Sequence, residues 1–180
     1  MTVANPARLS TTGLAVSRII ALAGLPGAGK SRLARAIAPA LGARIVSRDD
    51  IRATYFGQLP LEQGKRKAFD AMLALIDVNR GRATSLVLDG MPFSDPSQVR
   101  RVNIAAAAGD AAIDWLWLDV PINIARKRVA GQGADHSAPD RNVDLVNQVA
   151  ARFRPPPRAT RIDANQPFAQ VYRAALVALL

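Results

Sequence analysis

The sequence predicts an α/β fold with a doubly wound, all-parallel five-stranded sheet, helices on both faces and a short lid. Three observations carry that expectation. Residues Arg18–Ser31, RIIALAGLPGAGKS, run an apolar strand into a glycine-rich turn that opens a helix. Short apolar runs then alternate with amphipathic stretches of helical period along the 180 residues, as strand–helix–strand units do. Two of the later strands also deliver acidic residues at their carboxyl ends, the edge at which open α/β sheets bind ligands.

The first strand ends in Gly24–Ser31, which fits G-x-x-x-x-G-K-[ST]. In that pattern backbone N–H groups cradle phosphates, the lysine reaches the β- and γ-phosphates and the hydroxyl ligates Mg²⁺. Gly24, Gly27 and Gly29 admit backbone conformations barred to residues with a Cβ, and the new helix offers unpaired N–H groups and its positive dipole end. The fold class is therefore the three-layer P-loop NTPase type. Gly24, Pro26, Gly27, Ala28, Gly29, Lys30, Ser31 and Arg32 are the candidate nucleotide contacts, with Ser31 the candidate metal ligand.

Leu33, Ala34, Ile37 and Leu41 have helical spacing and stop at Gly42, so Ser31–Leu41 is expected to be a helix. Ala43–Val46 makes a short second strand and delivers Ser47-Arg48-Asp49-Asp50-Ile51-Arg52 at its end. A helix starts near Asp49, breaks around Gly57–Pro60 and resumes over Leu61–Asn79, with Phe69, Met72, Leu73 and Ile76 inward. Ser85–Leu88 is a buried third strand ending in Asp89-Gly90. Ser94-Asp95-Pro96 caps a helix that carries Val99, Val102, Ile104 and Ala105–Ala108 before Gly109.

Ile113–Val120 is the fourth strand, and its tryptophans, Trp115 and Trp117, alternate with leucines as sheet-packing residues do. Pro121 starts a helix containing Arg126, Lys127 and Arg128, which Gly131–Asp140 breaks with Gly, Asp, His and Pro. That stretch, about 126–141, reads as a lid of the kind that closes over nucleotide and excludes water. Asn142–Phe153 is helical, Pro155–Pro157 is rigid, Thr160–Asp163 is a last strand and Phe168–Leu180 a closing amphipathic helix. Residues 18–180 are expected to form one domain behind a loose tail, 1–17.

With 49% hydrophobic and 21% charged residues, the composition is that of a globular chain. No apolar run approaches the ~20 residues that span a bilayer, and Met1–Ser17 lacks the apolar core of a signal peptide. The absence of cysteine rules out disulfides and thiolate metal sites and fits a reducing compartment, so a cytoplasmic location is expected. The net charge of +10 favours anionic partners, either nucleotides or nucleic acid. Arginines dominate it, Lys30, Lys65, Lys67 and Lys127 being the only lysines, and no basic run interleaves with aromatics as a strand-binding groove would require.

Gly24–Ser31, Arg-Asp-Asp-Ile-Arg at 48–52, Asp89, and Leu-Asp-Val-Pro at 118–121 followed by Arg126 and Arg128 together resemble the small P-loop kinases related to polynucleotide kinase. The resemblance extends over about the first three quarters of the chain, within the broader nucleoside-monophosphate-kinase-like fold. It implies ATP and Mg²⁺ as cofactors, with Lys30 and Ser31 on the triphosphate and the metal. It implies Asp49 as base for an acceptor hydroxyl, Arg52 as its orienting partner, and Arg126 or Arg128 as the lid arginine on the transferring phosphoryl. Asp50 is left as a helix cap or a ligand to Mg²⁺-bound water, and Asp89 as a carboxylate behind the metal, an acceptor-positioning group or a turn residue.

The chain departs from that group in lacking a second, acidic phosphatase motif and in having Gln132 where a further lid arginine is expected. His136, the single histidine, reads as a solvated loop residue. Phosphoryl transfer to the 5′-hydroxyl of a nucleic acid or to a small-molecule alcohol is the leading expectation. A nucleotide-operated switch or ATPase is the competing class, and both Lys30 and Ser31 stand against a dead pocket.

Overall fold

A computed structural model describes residues 18–82, 84–131 and 140–180. The expected tail, Met1–Ser17, and the lid residues Gln132 and His136 lie outside the described residues. The elements in chain order are β1 (Arg18–Ala23), α1 (Lys30–Ala40), β2 (Arg44–Ser47), α2 (Arg48–Tyr55), α3 (Leu61–Val78) and β3 (Leu86–Asp89). They continue as α4 (Pro96–Ala108), β4 (Ala112–Asp119), α5 (Ile122–Ala130), α6 (Val143–Arg152), β5 (Thr160–Asp163) and α7 (Phe168–Leu179).

All five strands pair in parallel in the order β2-β3-β1-β4-β5. The chain works outward and back on one side of β1, then crosses it to build β4 and β5. All the carboxyl ends therefore meet at one edge, with β1 at the point where the winding reverses. Pleating sends alternate residues of β1 into two cores. Ile20 and Leu22 join Leu33 and Ile37 of α1, Val146 of α6 and Val171 and Leu179 of α7. Ile19, Ala21 and Ala23 join Phe69, Met72 and Ile76 of α3 and Val99 and Val102 of α4. Each fully buried large side chain contributes about 1.5–3 kcal/mol, so these two layers hold the edge rigid.

β2 and β3 each run one residue further into that edge than the apolar pattern indicates. Their last residues, Ser47 and Asp89, are register partners, both buried. The Ser47 hydroxyl also accepts the Asp50 N–H at 3.2 Å, so it ends a strand and caps α2 at once. Trp115 packs edge-on against Phe93 with ring centroids 5.0 Å apart, and Trp117 lies beside Phe153, in sheet-packing roles. Ile104, one of the apolar residues of α4, is 57% exposed, because the inward stripe of the helix runs through Val99, Val102 and Ala106.

Gly90 lets the end of β3 touch the start of α2. Its φ is 83°, and an added Cβ would lie 2.8 Å from the Asp49 nitrogen and 3.0 Å from that of Arg48. Gly90→Ala must therefore strain the backbone and push α2 away, at about 1–3 kcal/mol. For a chain of this size that lowers the melting temperature by roughly 2–4 °C per kcal/mol. Thermal and urea unfolding would check this, and a loss under about 0.5 kcal/mol would mean that the two elements part freely.

Candidate active site

The loop between β1 and α1 is clamped from both sides. Gly24 has φ 138°, and a Cβ there would stand 2.5 Å from the Leu118 carbonyl, so the loop lies hard against β4. On the other side the Gly24 N–H donates to the Pro92 carbonyl at 3.1 Å. Gly29 caps α1 without a side-chain acceptor, and the first turn of α1 holds no acidic residue. The helix thus presents open N–H groups and an unneutralised positive end, which is an anion site.

Lys30 folds back over this loop, its ammonium donating to the carbonyls of Gly24 at 2.8 Å and Leu25 at 3.0 Å. Burial pushes its pKa down from 10.5 to about 8, against the pull of Asp89 and Asp49 and with the help of Arg141 and Arg48. Asp89 is only 4% exposed, and its Oδ1 has no hydrogen-bond partner among the described residues. Asp49 accepts from Arg48 at 2.6 and 3.1 Å. Arg141 faces both Asp49 and Asp89, and its burial lowers its pKa.

The edge therefore brings together Lys30, Asp49 and Asp89, with Ser31 lining the same cleft as Lys30 and Asp49. Arg52 stands behind them, 6% exposed, with its stem against Gly64 of α3. Arg128 turns to the underside of the loop, donating to the carbonyls of Gly27 at 3.4 Å and Ala164 at 3.0 Å. Arg126 is exposed and donates to the Asn147 amide oxygen at 2.7 Å, away from the cleft. Asp50 is exposed on α2. Arg141 is the residue that sequence reasoning missed. Its one signal was its place just before Asn142, whose side chain caps α6 by accepting the Leu145 N–H at 2.9 Å.

Three cavities meet around the loop. A cleft of about 1140 Å³ holds Lys30, Ser31, Arg48, Asp49 and Arg141 and opens between α3, α6 and the start of α4. A second, of about 630 Å³, is bounded by Gly27, Ala28, Arg128, Gln166 and Phe168. Pro26 lies on the first, and Gly29 and Arg32 line both, so a ligand lying across the loop would touch each. The Arg32 guanidinium sits over the Phe168 ring, 4.0 Å from its centroid. Ser31 and Asp89 share the third cavity, of about 400 Å³ on the β2 side. No group of three or more acidic or histidine side chains among the described residues could hold a metal alone.

Fold and loop together define a P-loop protein of the kinase-like α/β type. Residues 19–156 match the model of a family described as an AAA domain, and the chain belongs to that family. No curated protein sequence matches it. Among solved structures the chain is similar to a gluconokinase from Sinorhizobium meliloti, with a TM-score of 0.64, 21% identity and 92% of each chain covered. It is similar to a sugar kinase from Janibacter, with a TM-score of 0.63, 20% identity, and 91% of this chain and 94% of that one covered. It is also similar to the APS kinase of Mycobacterium tuberculosis in complex with AMPPNP and APS, with a TM-score of 0.68, 14% identity, and 91% and 98% covered. At these identities the likeness is one of fold. No described helix is long and apolar enough to cross a membrane.

The lowered Lys30 pKa fixes the sign of two pH effects. The ligand-free protein loses this proton as pH rises through about 8, while the unfolded chain keeps it to about 10.5, so the cost of desolvating this group is relieved and the stability of the free protein rises with pH across that window. Phosphate oxygens favour the ammonium, so a triphosphate binding at Lys30 above pH 8 would take up a proton. Affinity should then fall by up to about tenfold per pH unit between pH 8 and 10, and Lys30→Met should bind more weakly and without that slope. Calorimetry across this range would check it. A wild-type affinity independent of pH would remove Lys30 from the phosphate site.

Proposed function

We propose that the protein is an ATP-dependent kinase that transfers the γ-phosphate to a hydroxyl of a small molecule. The observation that carries this reading is that Asp49, Lys30 and Arg141 line one cleft whose volume extends well beyond the phosphate loop. An ATPase or switch needs space for water, whereas this cleft has room for a second substrate. The names of the structural neighbours, gluconokinase, sugar kinase and APS kinase, support a small acceptor over the nucleic-acid 5′-hydroxyl that the polynucleotide-kinase resemblance also admits.

In this reading the nucleoside end of ATP occupies the cavity beside Phe168, and the triphosphate crosses Gly29 to Lys30 and the N–H groups of α1. Asp49 takes the proton as the acceptor O–H bond breaks. The acceptor oxygen bonds to the γ-phosphorus as the bond to the β-phosphate oxygen breaks, and ADP leaves. Lys30 and Arg141 neutralise charge on the transferring group, which is where most of the catalysis in phosphoryl transfer lies. Arg48 orients Asp49 through its two hydrogen bonds. Arg128 braces the loop from beneath. Ser31 and Asp89 suit Mg²⁺: both residues line one cavity, the buried Asp89 Oδ1 has no hydrogen-bond partner among the described residues, and Mg²⁺ takes few protein ligands beside water and phosphate. Bound there, the ion would supply charge neutralisation to the phosphates.

Asp49→Asn keeps size and most hydrogen bonding but removes the basic oxygen. Transfer should fall about 10²–10⁴-fold with ATP affinity nearly unchanged, while Asp89→Asn should weaken binding of ATP with Mg²⁺. Single-turnover transfer and nucleotide binding, measured on both variants, separate the roles. ADP release that no alcohol raises above the acceptor-free rate would favour the ATPase or switch, and a drop confined to Asp89→Asn would move the base to β3.

A further inference from the structure

The acceptor side of the cleft has a chemistry of its own. Asp144, Leu145, Gln148 and Arg152 line it from α6, at spacings of one, four and eight residues that keep them on one helical face. Gln98 of α4 faces the same space. None of the described residues lining this cleft is aromatic, whereas the cavity on the far side of the loop has Phe168. A nucleobase acceptor would want a ring to stack on. The two glutamines instead offer carbonyl oxygens and N–H donors, which match hydroxyls that both donate and accept.

The cations of this wall are not equivalent. Arg48 is paired with Asp49, and Lys65 with Glu62 and Asp140, each contact at 2.6–2.8 Å. Arg141 faces Asp49 and Asp89. Arg32, Arg35 and Arg152 line the cleft and make no ion pair among the described residues, and of the three only Arg152 stands on α6, away from the phosphate loop and α1. It stands in the last turn of α6, ten residues beyond Asn142 and so about 15 Å along the axis from the end that carries Arg141. An anion held there sits at the opposite end of an acceptor several atoms long from the hydroxyl that reacts.

We propose that the acceptor is a small, non-aromatic polyhydroxylated compound bearing an anionic group, and that Arg152 binds that group. The proposal rests on the kinase reading and names its substrate class. The anion can be a carboxylate or a phosphate, since both match the guanidinium fork.

The test pairs five- and six-carbon aldonates and sugar phosphates with alditols of the same length, beside an oligonucleotide with a free 5′-hydroxyl. Binding is measured by calorimetry with a non-hydrolysable ATP analogue present, and transfer by ADP release. Acids should bind and react at least about tenfold better than their matched alditols, the difference one charge-assisted contact makes. Whether carboxylates or phosphates lead identifies the anion. In Arg152→Gln, which changes an exposed side chain, the ratio of acid to alditol kcat/KM should collapse towards one, mainly through KM, with the melting temperature kept. Alditols or the oligonucleotide serving as well as the acids, or a ratio unchanged in Arg152→Gln, would overturn the proposal. Selective acid binding without transfer to any acceptor would overturn the kinase reading while leaving the anionic ligand standing.

Discussion

A cation is held half-buried over the loop, and much of the surrounding architecture answers the cost of desolvating it. Taking an ammonium out of water is expensive, which is why the Lys30 pKa falls to about 8 despite two carbonyl partners. The carbonyls of Gly24 and Leu25 stay aimed at it because the loop is fixed between the Leu118 carbonyl and Pro92. That second anchor depends on the loop after β3, where Phe93 holds a positive φ of 50° yet is fully buried against Trp115. Such a conformation costs of order 1–3 kcal/mol, and burying the ring offsets it. Asp89 and Asp49 add their attraction from the neighbouring strand ends, which a parallel sheet places at the same edge.

Most of the fold was legible because its signals are local. Buried parallel strands read as short apolar runs, and Ser94-Asp95-Pro96 announces α4, where the Asp95 carboxylate accepts the Ser97 N–H at 2.8 Å. The boundaries slipped where a polar residue has two duties. Ser47 and Asp89 continue their strands because they pair with each other, a tertiary fact that no run of hydrophobicity reports. The outward face of Ile104 was not legible for the converse reason, since an apolar residue in an alanine-rich helix carries no mark of which face it occupies.

The candidate site was legible as far as backbone chemistry dictates its placement. Lys30, Ser31, Asp49 and Asp89 lie at fixed offsets from strand ends, and the sheet brings those ends together. The arginines were harder, because a long cation reaches in several directions. Arg126 and Arg128 are two residues apart on α5, about 200° around the helix, so a single cleft cannot take both. One meets Asn147 on α6 and the other the underside of the loop. The cation that does face the two aspartates, Arg141, sits in a polar, aperiodic stretch, and only the packing of α6 over the edge shows where it goes.

Part of the net charge of +10 acquires a location in this light. Several surface arginines are spent on single partners: Arg80 on Asp77, Arg101 on Asp70 with its guanidinium over Phe69, and Arg161 on Asp119 with its own over Trp117. Exposed pairs of this kind add little stability and no net field. Among the residues lining the main cleft, by contrast, Arg32, Arg35 and Arg152 make no ion pair among the described residues, and Lys30 and the open end of α1 add to them. A cleft with low-dielectric walls focuses such a field and draws anions in faster than diffusion alone. This part of the charge suits anionic ligands at the sheet edge, and neither the described cleft, which has no aromatic platform, nor the sequence, which has no continuous basic run, offers the features a strand-binding groove uses.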